Sequence, residues 1–555
     1  MSKLSRRFFG YLARRLSTQT NLKSDLVNKE MHGKLRREVG SLRDKVLKLR
    51  SALTTLTTER QSTYAARSGE PEPVLFQDEQ AMYDGVMALW RKGQVPAALR
   101  LLDANAGKTG RLDELRAVQA WLAFQSNWVP EAVGFLEAMV EAAEKKRSTM
   151  VWGPTAIISN SYWSRAMNAA GVESKTLMVE PASINRRDDY DLYYEDVMPA
   201  WFRFKDRDEM WAHGTLPYML AFLYVIRHAS VVHVPCTGSV LGQTDLWEYE
   251  AQLFKRAGIK SVILPYGGDY YCYSRVQDPC VRHGLLSNYA AQALIEPKIQ
   301  ARVTYWQQHG DAVLAGYMVD AMGRWDVALF TFFHIDTSLW QARQTYSGAD
   351  GRNGAVRVMH TPNHRGFKGT EFLVHAVEEL KKEGLQIELV LLERVPNSEV
   401  RRLMSECDIL AEQFIATAYA LSGIEGMASG LAVMANLHDE YYTRIYRRYS
   451  FLNECPIFST TPEILKENLR ILVTRPALRE ALGRAGREYV EKYHSFPAAQ
   501  HLFGKIHDRI LRGKEEDIIN LYHPLTSESA RTRPPVKHPL LESRLPKDSP
   551  YLKEP

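Results

Sequence analysis

The sequence predicts an α/β protein in which two doubly wound, Rossmann-like parallel-sheet domains follow an all-α segment. Three observations carry this. From residue 150 to about 512, short apolar β-rich runs alternate with amphipathic helical stretches, the pattern of parallel strands joined by crossover helices. The alternation comes in two series that meet near His334–Trp340. Ahead of them the apolar residues keep helical spacing, first in heptads and then in a repeat of 34 residues.

Composition bounds the reading. Of 555 residues, 45% are hydrophobic and 25% charged, which excludes a wholly disordered, collagenous or membrane-embedded chain. Cys236, Cys272, Cys280, Cys407 and Cys455 include no CxxC pair. Neither a disulfide framework nor a structural zinc is expected, and a reducing, cytoplasmic setting is. The net charge of +6 hides an asymmetry: residues 1–66 hold 15 Lys/Arg against 5 Asp/Glu, leaving 56 against 60 in the rest. The body is mildly acidic, so no nucleic-acid partner is expected. The most apolar run, LPYMLAFLYVI (216–226), stops at Arg227 and His228, short of the roughly 20 residues a spanning helix needs.

The elements follow in order. The basic start, with Phe8, Phe9, Leu12 and Leu16 interleaved, reads as a transit peptide, a membrane-surface helix or a solvated arm; the arm is the expectation, with peripheral contact at the inner face of the membrane left open. Val39, Val46 and Leu53 fall at heptad position a, and Leu35, Leu42, Leu49 and Leu56 at d. β-branched a positions with Leu at d favour a parallel homodimer, against one amphipathic helix packed on its own chain. Residues 67–78 have linker chemistry. VPAALRLL starts at Val95 and VPEAVGFL at Val129, each preceded at equal distance by an aromatic, Trp90 and Phe124. The offset is the tetratricopeptide period, so residues 79–146 resemble two such repeats packed on the next domain, a scaffold for gripping a partner protein; an unrelated helical hairpin layer is the alternative. Residues 148–340 form the first sheet domain and 341–512 the second, with VALFTFF (327–333) among the expected strands. The polar, Pro-rich tail 513–555 is expected to be disordered.

Two segments carry chemistry. In MHTPNHRGFKGTEFLVHAVEELKKEG (359–384), Arg365 and Lys368 stand in a turn at the carboxyl end of a strand, where open α/β sheets bind ligands. Arg offers a bidentate pair and Lys a point charge, which suits a diphosphate. In DILAEQFIATAYALSGIEGMASGLAVMAN (408–436), a helix opening near Ser422 and Gly423 would aim free N–H groups at an anion. Glu425, expected in its first turn, would be favoured by the helix dipole and could accept from a ribose diol. Together these fit a nucleotide-diphosphate sugar.

On HTPNHRGFKGTEFL, EGMASGLAV and REYVEKYHSF (487–496), residues 150–510 resemble a GT-B glycosyltransferase of the retaining family-4 kind. VVHVPCTGS (231–239) and ILPYGGD (263–269) stand where that group has a His-containing strand and an HGSD-like loop, and HIDTSLW (334–340) at its interdomain linker. The resemblance implies that Arg365 and Lys368 stabilise the departing diphosphate, that Glu425 holds the donor ribose, and that no metal or other cofactor takes part. This chain departs from the group at Thr417, where a first Glu is usual, and at Tyr266, where a His is.

Gly267 and Gly268 would let substrate approach the backbone closely, and Asp269 either bonds an acceptor hydroxyl or caps the next helix. Glu393 lies beside the nucleobase or in solvent. YYCYS (270–274) stacks on sugar rings or packs in the core, and His233 reads as a buried, satisfied histidine. The expected function is transfer of a sugar from a nucleotide-diphosphate donor to a macromolecular acceptor, a surface polysaccharide or a bacterial protein such as flagellin. Rival readings are a catalytically inactive GT-B scaffold and a nucleotide-sugar epimerase on the same fold.

Overall fold

The computed structural model describes residues 78–181, 185–199 and 207–540. The basic arm and the heptads lie outside them.

Among the described residues, four helices come first: α1 (Glu79–Arg91), α2 (Val95–Thr109), α3 (Leu112–Gln125) and α4 (Val129–Ala142). The Asp78 carboxylate caps α1 by accepting from Ala81 N at 2.9 Å. α2 and α4 begin at the two repeat-phase valines, each with Pro in its first turn, where a missing N–H costs nothing. α3 and α4 pack on each other and on helices Leu216–His228 and Trp247–Ala257 of the following domain. Arg227 fixes that docking, donating to Asp113 at 2.8 Å and Glu114 at 3.1 Å. Trp121 is fully buried, 4.9 Å from the ring of Trp90.

The first sheet is entirely parallel, in the order β3-β2-β1-β4-β5-β6: β1 Thr149–Trp152, β2 Ser174–Met178, β3 Leu192–Tyr193, β4 Ala229–Val234, β5 Lys260–Ile263 and β6 Ala312–Val313. The second is also parallel, in the order β11-β10-β9-β7-β8: β7 Val356–His360, β8 Ile387–Leu391, β9 Ile409–Gln413, β10 Ala432–Ala435 and β11 Phe458–Ser459. The two doubly wound domains are those the sequence predicts. In the second sheet the strand order reverses between β7 and β9, which makes their carboxyl ends the topological switch point where such sheets bind ligands.

One face of the second sheet buries Val356, Val358 and Ile409 with Leu373, Leu469 and Leu472. The other face belongs to a core that runs on into the first domain, from Leu410 and Val433 through Phe330 and Trp340 to Trp152 and Val231. No helix of the described residues is long and apolar enough to cross a membrane.

Three expectations need correction. VALFTFF is not a strand; only Val327 bridges to Leu314. The segment crosses from one domain to the other, and Phe330 and Phe332 are apolar because they fill the shared core. The second domain does not close at residue 512 on its own sheet. Helix Phe496–Arg512 returns to the first domain, where His507 Nε2 meets His233 Nε2 at 2.9 Å and Gln500 donates to Ala166 O. The tail is ordered at least to residue 540: Ile518, Tyr522 and Val536 are buried, and Val536 N donates to Glu454 at 2.8 Å. Its few apolar residues are spaced to dock, which its polar average concealed.

Candidate functional site

His360 closes β7. Its Nδ1–H donates to Ala411 O of β9 at 2.6 Å, and its Nε2 accepts from the Thr370 hydroxyl at 2.8 Å. Burial pushes this imidazole down to about 4, so it is a neutral tie between loop and strand. Residues Arg365–Lys368 then make one helical turn. Gly369 ends it with φ +77°, and a Cβ there would lie 3.2 Å from Phe414 Cβ, so glycine is required.

That turn sends its two cations in opposite directions. Arg365 points outward and donates to Glu371 at 2.7 Å and to Glu393 at 3.3 Å, all partly exposed. Lys368 is buried; its Nζ donates to Glu412 Oε1 at 2.6 Å and Gln413 Oε1 at 2.7 Å. The same Glu412 oxygen accepts from Ser422 Oγ at 3.1 Å. Ser422 and Gly423 lie in the first turn of helix Leu421–Ala428, which carries no side-chain cap. A cation from the loop after β7 and an uncapped helix N-terminus therefore meet at the end of β9, at the switch point.

The first domain covers this turn. A Cβ on Gly366 would come within 2.9 Å of Asn288 Nδ2, and the Tyr289 ring stands 4.2 Å from that of His364. Tyr317 lies close enough to Glu412 for that carboxylate to help raise its phenol, behind burial and the larger influence of Tyr271. The Tyr271 hydroxyl donates to that of Tyr317 at 3.5 Å.

Asp269 is fully buried and caps no helix. Its carboxylate accepts from Cys236 N at 2.9 Å, Tyr266 N at 3.0 Å and Gly267 N at 2.8 Å, stapling the loop after β4 to the loop after β5. Burial outweighs those three donors and pushes it up to about 6. Gly267 is buried and Gly268 exposed; a Cβ on Gly268 would stand 3.3 Å from Gln292 Nε2. Glu250 repeats the motif, accepting from Ser239 N at 2.8 Å and Leu241 N at 2.7 Å.

Glu425 is not in the first turn of its helix, which begins at Leu421 and holds no acid there; the expected dipole stabilisation does not apply. It is buried, and its Oε1 has no hydrogen-bond partner. Burial pushes it up to about 8, against the pull of Arg401. Glu393 is committed to Arg365. His233 is buried, stacked 3.5 Å from Trp152, and held neutral by that burial, as the sequence led us to expect. Thr417 is fully buried, 3.4 Å from Asn436 Oδ1, and Tyr266 donates to Thr155 at 3.2 Å.

Of the residues singled out from sequence, the structure gathers Lys368, Ser422 and Gly423 around Glu412, whereas Arg365 turns away to Glu371 and Glu393. Sequence reasoning missed Glu412, Gln413, Tyr317 and Asn288. Glu412 had a signal, a carboxylate at the end of an otherwise apolar strand; the others had none.

No protein-family model matches the chain, and no curated protein does. Similar solved structures include sucrose-phosphate synthase from Thermosynechococcus elongatus, at 12% identity over 66% of this chain and 100% of that one (TM-score 0.44). HepE from Anabaena, solved with UDP, is 12% identical over 64% and 98% (TM-score 0.40). The O-GlcNAc transferase of Thermobaculum terrenum is 10% identical over 79% and 86% (TM-score 0.37).

Proposed function

We propose that this chain is a retaining, metal-independent GT-B glycosyltransferase that moves a sugar from a nucleotide-diphosphate donor to a macromolecular acceptor. The observation that carries the reading is the meeting of Lys368 Nζ and Ser422 Oγ on Glu412. It sets a buried cation beside uncapped helix N–H groups at the switch point, an arrangement suited to a diphosphate.

In this reaction the bond from the sugar anomeric carbon to the diphosphate oxygen breaks, and a bond to the acceptor oxygen forms. The nucleoside diphosphate leaves with the electron pair, and its freed oxygen takes up the proton of the acceptor hydroxyl, which attacks from the same face. Lys368, Arg365 and the N–H groups of Leu421–Gly423 stabilise the charge that develops there. Arg365 must exchange Glu371 or Glu393 for phosphate oxygens, which exposed ion pairs do readily. Glu425, whose buried Oε1 lacks a donor, accepts from the ribose hydroxyls. Gly267 and Gly268 bring the acceptor to the cleft, with Asp269 holding their loop. α1–α4, read as tetratricopeptide-like repeats, engage the acceptor: a surface polysaccharide under assembly or a bacterial surface protein such as flagellin. By the same reading the heptads at 35–56 pair two chains in parallel and the enzyme works in the cytoplasm.

The alternative, an inactive scaffold, draws on one observation: Lys368 already donates to both Glu412 and Gln413. Replacing Arg365 and Lys368 together with Ala and assaying donor hydrolysis and transfer separates the two. The enzyme reading predicts loss of both activities; a wild-type chain inert towards every donor supports the scaffold.

A further inference from the structure

The Glu412 carboxylate is a group that the proposed chemistry does not use, yet it stands at the centre of the site. Its side chain is wholly buried, Oε1 takes both Lys368 and Ser422, and Oε2 is buried with no partner. A carboxylate with one oxygen left undonated in a low-dielectric site is costly. No local fold requirement explains it. Unlike Asp269 and Glu250, it accepts no backbone N–H among the described hydrogen bonds. Its contacts are instead the two groups expected to receive the diphosphate.

We propose that Glu412 is a positioning residue acting as a built-in counter-charge: it occupies Lys368 while the site is empty, competes with the diphosphate for that ammonium, and so sets how fast the nucleoside diphosphate product leaves. This rests on the glycosyltransferase reading and extends it. When the diphosphate binds, its oxygens replace the carboxylate as the partner of Nζ, and the negative charge of Glu412, which the structure holds 2.6 Å from Nζ, keeps the exchange reversible. The Ser422 hydroxyl holds Oε1 against the helix N-terminus, so the carboxylate stays in place to reclaim the lysine.

Glu412→Gln tests this, because Gln keeps an acceptor oxygen for Lys368 and Ser422 and removes only the charge. UDP, GDP, ADP, CDP and inorganic diphosphate are titrated calorimetrically into the full-length wild type, Glu412→Gln, Lys368→Met and the double variant. The expected result is binding at least about tenfold tighter in Glu412→Gln, with kcat reduced by slowed product release and the donor KM lowered in parallel. The gain should vanish in the Lys368→Met background. A structural defect would weaken binding, so unchanged or weaker binding in a variant that melts like wild type overturns the proposal. Should Glu412→Gln not fold, Glu412→Asp decides: withdrawing the carboxylate by one methylene should still tighten binding a few-fold, and no tightening overturns it. Binding of inorganic diphosphate without any of the four nucleotides keeps the counter-charge and sinks the nucleotide-sugar reading. Binding of none of the five sinks both.

Discussion

The carboxyl ends of the two sheets solve the same problem, a buried carboxylate, in opposite ways. In the first domain, Asp269 takes three backbone N–H groups and Glu250 at least two. Both carboxylates are spent on fixing loops. In the second, Glu412 takes a lysine and a serine side chain, and Glu425 leaves an oxygen with nothing. Backbone donors cannot be exchanged without unfolding the loop, whereas side-chain donors can turn to a ligand. The buried carboxylates of the first domain are therefore fixed in its loops, while those of the second have side-chain partners, or an oxygen without one, that a ligand can engage.

The largest effect that sharpens this contrast is expected at Lys368. Lys368→Met should lower kcat by about 10²–10³, the usual loss of one donor to a developing anion, with little loss of secondary structure by circular dichroism. Wild-type turnover would move the chemistry elsewhere. Next comes Asp269→Ala, which strips three backbone donors of a buried charged acceptor and should destabilise the first domain by about 3–5 kcal/mol in urea unfolding. A variant that is as stable as wild type but inactive would break the comparison and return Asp269 to the reacting groups.

A third test uses pH. The carboxyl of Glu425 is pushed up to about 8 by burial, far above its unfolded value. The folded chain therefore holds a proton that the unfolded chain releases, so this group's contribution is complete below about pH 4.5 and declines as pH rises towards 8. Glu425→Gln should melt like wild type at pH 5 and several degrees higher at pH 8.5. Parallel melting curves at both pH values would show that the orphaned oxygen has a donor after all. The smallest effect is expected at Glu393. Glu393→Gln removes one exposed partner of Arg365 and should leave melting unchanged while modestly lowering the donor KM; a raised KM would show that Glu393 touches the nucleotide instead.

Most of the fold was legible because periodicity reports burial: strands buried on both faces read as apolar runs, and Lys368-Gly369 and Ser422-Gly423 stood at the ends of such runs. What was hidden depended on partners distant in sequence. VALFTFF looked like a strand because apolar runs report burial without direction, and this one crosses between domains. The tail's polar average masked Ile518, Tyr522 and Val536. Asp269 read as an acceptor contact or a helix cap from its position after a strand, but its three donors come from two loops, one of them more than thirty positions earlier. Glu425 looked like a first-turn residue because the helix start was placed one residue too late, at Ser422. Glu412 announced itself in DILAEQF, but only the fold shows that Lys368 reaches it.

The central claim is that the Lys368 turn and the helix at Leu421 form a diphosphate site. Calorimetric titration of the full-length wild type and the Arg365→Ala/Lys368→Ala variant against UDP-, GDP-, ADP- and CDP-sugars tests it most directly. The account predicts that the wild type binds at least one donor and that the folded double variant binds it at least about a hundredfold more weakly, the loss of two charge-assisted contacts. Equal affinity in the two proteins, or no binding of any donor by the wild type, would contradict it.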